Sequence, residues 1–109
     1  MAHRLHCTAT YLLVALGLVH AGLAPVFYDE LTPNTVWFVG AGLALVFLGL
    51  LNASADLADV GRVWVMCRVA NVVALAFGAL AVVAVPEPQA FVGLVLLAAL
   101  AATSFVLPR

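Results

Sequence analysis

The chain has 109 residues, of which 67% are hydrophobic and 8% charged, and its formal net charge is −1. A water-soluble domain of this size could not bury that much apolar surface, so a soluble globular fold is excluded and hydrocarbon is the expected solvent. All four basic residues are arginine and no basic cluster occurs, so the chain has no electrostatic footprint for nucleic acid.

A helix rises about 1.5 Å per residue and the bilayer core is about 30 Å thick, so about 20 apolar residues make one crossing. Four stretches meet that length, at residues 8–28, 35–54, 63–85 and 89–107. The first begins after Arg4. A cleaved leader is disfavoured because the apolar run extends to Tyr28, beyond an ordinary leader core. Pro25 is expected to bend its last turn. The second stretch carries Gly42 and Gly49, with Ala53 four residues beyond. The third opens near Arg62, holds Cys67, Arg68 and Asn71, and carries Ala70, Ala74 and Gly78 four residues apart. The fourth ends in Thr103, Ser104 and Leu107. Short connections force each crossing antiparallel to the one before it. The expected fold is therefore all-α, a single transmembrane domain over residues 1–109 in an up-down-up-down four-helix bundle. Small residues spaced four apart permit the close helix approach that replaces hydrophobic burial in lipid, and the Ala70/Ala74/Gly78 stripe is read as an interface.

Orientation follows from charge. Arg4, Arg62, Arg68 and Arg109 fall at one end of the crossings, whereas Asp29, Glu30 and Glu87 fall in the loops at the other. Positive charge resists translocation, so both termini are expected in the cytoplasm of a multi-pass inner-membrane protein. The absence of lysine and the richness in Ala, Val, Leu and Gly suggest a bacterial source. Asp56 and Asp59 are then expected in a solvated inner loop, and Cys7 and Cys67 as small reduced side chains.

Polar side chains within hydrocarbon mark candidate sites. His20 and Gly42 lie at similar depth, so the glycine could leave room for an imidazole or a small ligand. Arg68 and Asn71 share a face of the third crossing, and Asn52 and Tyr11 reach a comparable level. This reads either as a site for an anion, lipid headgroup or substrate, or as a structural arrangement in which Arg68 snorkels to the interface and the two Asn bond across helices. Tyr28 belongs to an outer cluster with Asp29 and Glu30. The candidate ligand-binding residues are thus His20, Tyr28, Asn52, Arg68 and Asn71. No catalytic residue, cofactor or metal ligand is assigned. Phosphate-loop, nucleophile-elbow and zinc motifs are missing, and no Cys/His metal spacing is read. His3 and His6 are placed beyond the hydrocarbon, which leaves His20 without a second axial histidine for haem.

The runs His20–Tyr28, Trp37–Leu45 and Phe47–Asn52 resemble a group of small bacterial four-helix inner-membrane proteins of no assigned activity, a resemblance that would cover nearly the whole chain. It implies a fold and a location only. The chain does not resemble small multidrug exporters, whose first helix carries a glutamate, or fluoride channels with their glycine-rich, arginine-bearing signature. The expected function is a binding or interaction module for a lipid, an apolar small molecule or a partner helix, more readily non-enzymatic than enzymatic. A subunit of an oligomeric channel or carrier is the alternative, and a membrane enzyme or haem protein the second. The partners implied are the lipid bilayer and a second copy or another membrane protein.

Overall fold

A computed structural model describes residues 1–107. Pro108 and Arg109, the latter one of the four arginines used to orient the chain, lie outside the described residues. The elements are α1 (Ala2–Gly22), α2 (Ala24–Phe27), α3 (Pro33–Ala58), α4 (Gly61–Ala84) and α5 (Pro88–Val106). Four helical spans, Ala2–Phe27, Pro33–Ala58, Gly61–Ala84 and Pro88–Val106, are long and apolar enough to cross a membrane. The molecule is an all-α four-helix membrane bundle. Its long dimension is 46 Å, against the roughly 40–45 Å of a bilayer with its headgroups.

Local chemistry sets the ends. The first span breaks at Leu23, two residues before Pro25, because proline cannot supply the amide that a continuous helix needs there. Thr32 caps α3: its hydroxyl accepts from the Thr35 amide while the Thr35 side chain bonds back to the Thr32 amide, and Pro33 fills the first helical position. At the other end of α3, Asp59 adopts a left-handed conformation with φ 53°, which an Asp side chain tolerates better than most.

Two of these boundaries correct the sequence reading. α1 begins at Ala2, six residues before the apolar run, so His3 and His6 are helical rather than lying beyond the bundle. α3 continues to Ala58, which places Asp56 on a helix instead of in a solvated loop. In both cases polar residues interrupt the hydropathy while the backbone hydrogen bonding continues.

Around the bundle α1 packs between α3 and α5, and α4 packs on α5; the α3–α4 seam is the slightest. The tightest seam is α1–α3. A Cβ built on Gly17 would lie 2.5 Å from the Gly42 carbonyl oxygen, and one on Gly42 would lie 2.7 Å from the Gly17 carbonyl oxygen. The two backbones therefore touch, and only glycine fits at either position. Gly42 makes room for α1 itself, which corrects the expectation that it leaves space for the His20 ring. The Ala70/Ala74/Gly78 stripe also faces inward, with Gly78 against Leu97 and Leu94 of α5.

Core polarity is distributed unevenly. Ala9, Leu13, Leu97 and Leu100 form an apolar centre. At the end where α1 begins and α5 finishes, the buried side chains include His6, Thr10, Asn52, Asn71, Thr103 and Ser104. Large apolar side chains such as Phe47, Val72, Phe77, Leu80 and Val83 point outward instead, as a lipid solvent requires.

Candidate functional site

The predicted residues separate into two groups at opposite ends of the bundle. At one end His20 stacks on Phe38, with ring centroids 4.0 Å apart and planes inclined by 20°. Tyr28 meets the same Phe38 ring edge-on at 5.3 Å. Phe38 is thus the hub that joins His20 to Tyr28, and the three rings pack the return of the chain from α2 into α3.

At the other end Asn52 and Asn71 form a reciprocal amide pair across the α3–α4 seam. Asn52 Nδ2 donates to Asn71 Oδ1 at 2.8 Å, and Asn71 Nδ2 donates to Asn52 Oδ1 at 2.9 Å. The second Asn52 N–H reaches the Leu48 carbonyl at 2.9 Å, and the Cys67 thiol donates to Asn52 Oδ1 at 3.0 Å. Both amides are 0% exposed. Such a closed ring satisfies its own polarity and ties together two helices that otherwise touch little.

Arg68 lies one turn back from Asn71 and turns outward toward α5. Its Nε donates to the Ser104 carbonyl at 2.7 Å and its Nη2 to the Leu107 carbonyl at 3.4 Å. The guanidinium also lies over the Phe105 ring, 5.6 Å from its centroid. These carbonyls are orphaned at a helix C-terminus, where a cation is favoured. Both are neutral, however, and no Asp or Glu among the described residues pairs with Arg68. Beside it runs an open groove of about 430 Å³, walled by Val65, Val69, Val72, Val73 and Phe105. Tyr11, expected at this polar level, is 65% exposed on the outside of α1 and does not join the group.

A third group was not anticipated. His3 and Cys7 stand four residues apart on α1 and face Asp56 of α3. His3 Nε2 is 3.0 Å from both Asp56 carboxylate oxygens. Cys7 Sγ is 3.6 Å from His3 Nε2 and 3.6 Å from Asp56 Oδ2. One nitrogen, one sulfur and one carboxylate oxygen therefore converge within 4.8 Å, a donor set able to hold a metal ion. The sequence reading assigned no Cys/His metal spacing; His3 and Cys7 stand i, i+4, which puts both donors on one helix face once α1 begins at Ala2. Beneath the trio is a cavity of about 30 Å³ whose lining includes Cys7, Asp56, His6, Thr10 and Asn52.

No protein-family model matches the chain, and no curated protein or solved structure matches it.

Proposed function

We propose that this small membrane protein is a lipid-binding module, taking one anionic phospholipid along the α4–α5 groove with its phosphate on Arg68. The setting of Arg68 carries the reading: a cation anchored by neutral carbonyls, with no Asp or Glu partner among the described residues, at the end of a valine-walled groove. A guanidinium matches a phosphate in charge and in its forked donor geometry. Val65 to Val73 extend along about 12 Å of helix, enough to line the upper part of an acyl chain. The groove is an open strip whose Val69 and Phe105 walls are 60% and 61% exposed, a surface that an acyl chain can cover from one side. On the positive-inside rule the module sits in a bacterial inner membrane with both termini cytoplasmic, so the lipid belongs to the inner leaflet. The channel-subunit alternative draws no support from the third-crossing stripe, which is used inside the bundle.

The test is lipid retention. Protein extracted in mild detergent is delipidated, returned to vesicles of mixed zwitterionic and anionic phospholipid, repurified and examined by native mass spectrometry. One retained anionic lipid is expected for the wild type and for Arg62→Gln, and a loss of most of that adduct for Arg68→Gln. Equal retention by Arg68→Gln, or adducts that simply follow the vesicle composition, would overturn the reading.

A further inference from the structure

The geometry points to a metal site, separate from the lipid groove, in which His3 Nε2, Cys7 Sγ and an Asp56 oxygen bind one borderline divalent cation of the zinc type, with a water in the fourth position held by Thr10 and His6.

The donor spacing supports it first. Tetrahedral zinc has bonds of about 2.3 Å to sulfur and about 2.0–2.2 Å to nitrogen and oxygen, so its ligand atoms lie about 3.5–3.6 Å apart for S···N and S···O and about 3.4 Å apart for N···O. The corresponding separations here are 3.6, 3.6 and 3.0 Å. An ion enters such a triangle with shifts of a few tenths of an ångström. One thiolate, one imidazole and one carboxylate form a set of intermediate softness that suits zinc, cobalt(II) and nickel(II) better than magnesium or calcium. Without metal, His3 Nε2 hydrogen-bonds both Asp56 carboxylate oxygens about the same point. The cation takes the place of the thiol proton and of the His3–Asp56 hydrogen bond, and its charge compensates two anionic ligands.

The cavity supplies a second, independent observation. Thr10 and His6 are each 1% exposed, and both line it together with Cys7 and Asp56. Thr10 Oγ1 and His6 Nε2 have no hydrogen-bond partner among the described residues, although buried polar atoms are ordinarily paired. The tautomer of His6 follows from its neighbour. The single Thr103 hydroxyl proton is directed to the Ala99 carbonyl at 2.7 Å, so His6 Nδ1 donates to Thr103 Oγ1 at 2.8 Å. In that tautomer His6 Nε2 accepts, and the His6 ring also lies beside the Asn52 backbone carbonyl. A volume of about 30 Å³ accommodates a single water, which needs about 10–15 Å³ or more. A water on the metal could hydrogen-bond both His6 Nε2 and Thr10 Oγ1. Three protein ligands plus one water is the arrangement of an open zinc site, and the 59% exposure of the His3 side chain leaves the ion a route in.

The test uses the full chain in detergent micelles, kept reduced with a non-chelating phosphine, and titrated with cobalt(II) and zinc. The wild type is expected to bind one cobalt(II), with a thiolate-to-metal charge-transfer band in the near ultraviolet and the visible bands of tetrahedral cobalt, both abolished by added zinc. Cys7→Ser removes the charge-transfer band, whereas Cys67→Ser keeps it. His3→Gln and Asp56→Asn weaken binding more than about 100-fold, because even outer-shell partners contribute about 10–100-fold. Thr10→Val, nearly isosteric, weakens it about 10-fold through the lost water contact. His3 and Cys7 lie on an accessible face, and unchanged helical content and elution volume verify each fold. The site is overturned if no charge-transfer band appears at millimolar cobalt, if the band survives Cys7→Ser, or if Asp56→Asn binds as tightly as the wild type. Unchanged affinity in Thr10→Val overturns the water ligand.

Discussion

The Asn52–Asn71 ring is the point at which single side chains determine whether α3 and α4 stay together. Each amide is buried, and every hydrogen of the Asn52 amide has an acceptor. Deleting one partner leaves the other with an unpaired N–H in a dry interior, at a cost of about 1–3 kcal/mol. Deleting both removes the orphan as well as the bond. Asn52→Leu and Asn71→Leu should therefore each destabilise by about 1–2 kcal/mol, and the double variant by less than their sum. The coupling should approach the upper end of interhelical hydrogen bonds in membranes, about 1.7 kcal/mol. Reversible unfolding in mixed micelles, arranged as a double-mutant cycle, measures it, and strict additivity would show that the ring does not act as a unit. Both asparagines were legible in the sequence, because an amide within an apolar run stands out. Their bonding across helices was legible too, as the alternative to a ligand site, because both lie at one depth; the part of the Cys67 thiol in the ring was not, because hydropathy gives the depth of a residue and only approximately its azimuth around the helix.

Among the elements, the α1–α3 seam is fixed by backbone contact rather than by side-chain interdigitation. Because each glycine's missing Cβ is occupied by the other helix's carbonyl, a methyl group at either position must push the two axes apart. Gly17→Ala and Gly42→Ala should each cost about 1–3 kcal/mol, the usual penalty of overpacking. Gly40 has nothing within 4 Å of its Cβ position. There Ala has the better helix propensity, and Gly40→Ala should be neutral or gain up to about 1 kcal/mol. Thermal unfolding midpoints in one detergent compare the three, and a Gly17→Ala midpoint equal to that of Gly40→Ala would refute contact as the organising feature. The four crossings and the small residues along them were legible because hydrocarbon imposes length and composition together. The beginning of α1 was not. His3, Arg4 and His6 depress the hydropathy of a segment whose helix continues regardless, and the His3–Cys7–Asp56 group lay hidden behind that misplaced boundary. The far end of α3 concealed Asp56 in the same way.

For the whole molecule, the polar features gather at one end. The Asn ring, Arg68, the His3–Cys7–Asp56 trio and its cavity all lie where α1 and α4 begin and α3 and α5 finish. The opposite end holds the aromatic packing of His20, Tyr28 and Phe38 and the acidic residues Asp29, Glu30 and Glu87. Arg4 and Arg62 flank the polar end, so the charge expected to set orientation and the proposed binding groups share one end of the bundle. If that side is the cytoplasm, the Cys7 thiol is exposed to a reducing compartment, where it stays free to ligate instead of oxidising. A fluorescent reporter that matures only in the cytoplasm should then be active on either terminus, and a phosphatase active only outside should be silent on both. Replacing Arg4 and Arg62 by Gln while adding two arginines beside Asp29 should produce a mixed or inverted population, because the bias rests on few charges. A phosphatase signal from the unaltered chain at either terminus would reverse the assignment, turning the binding end toward an oxidising space.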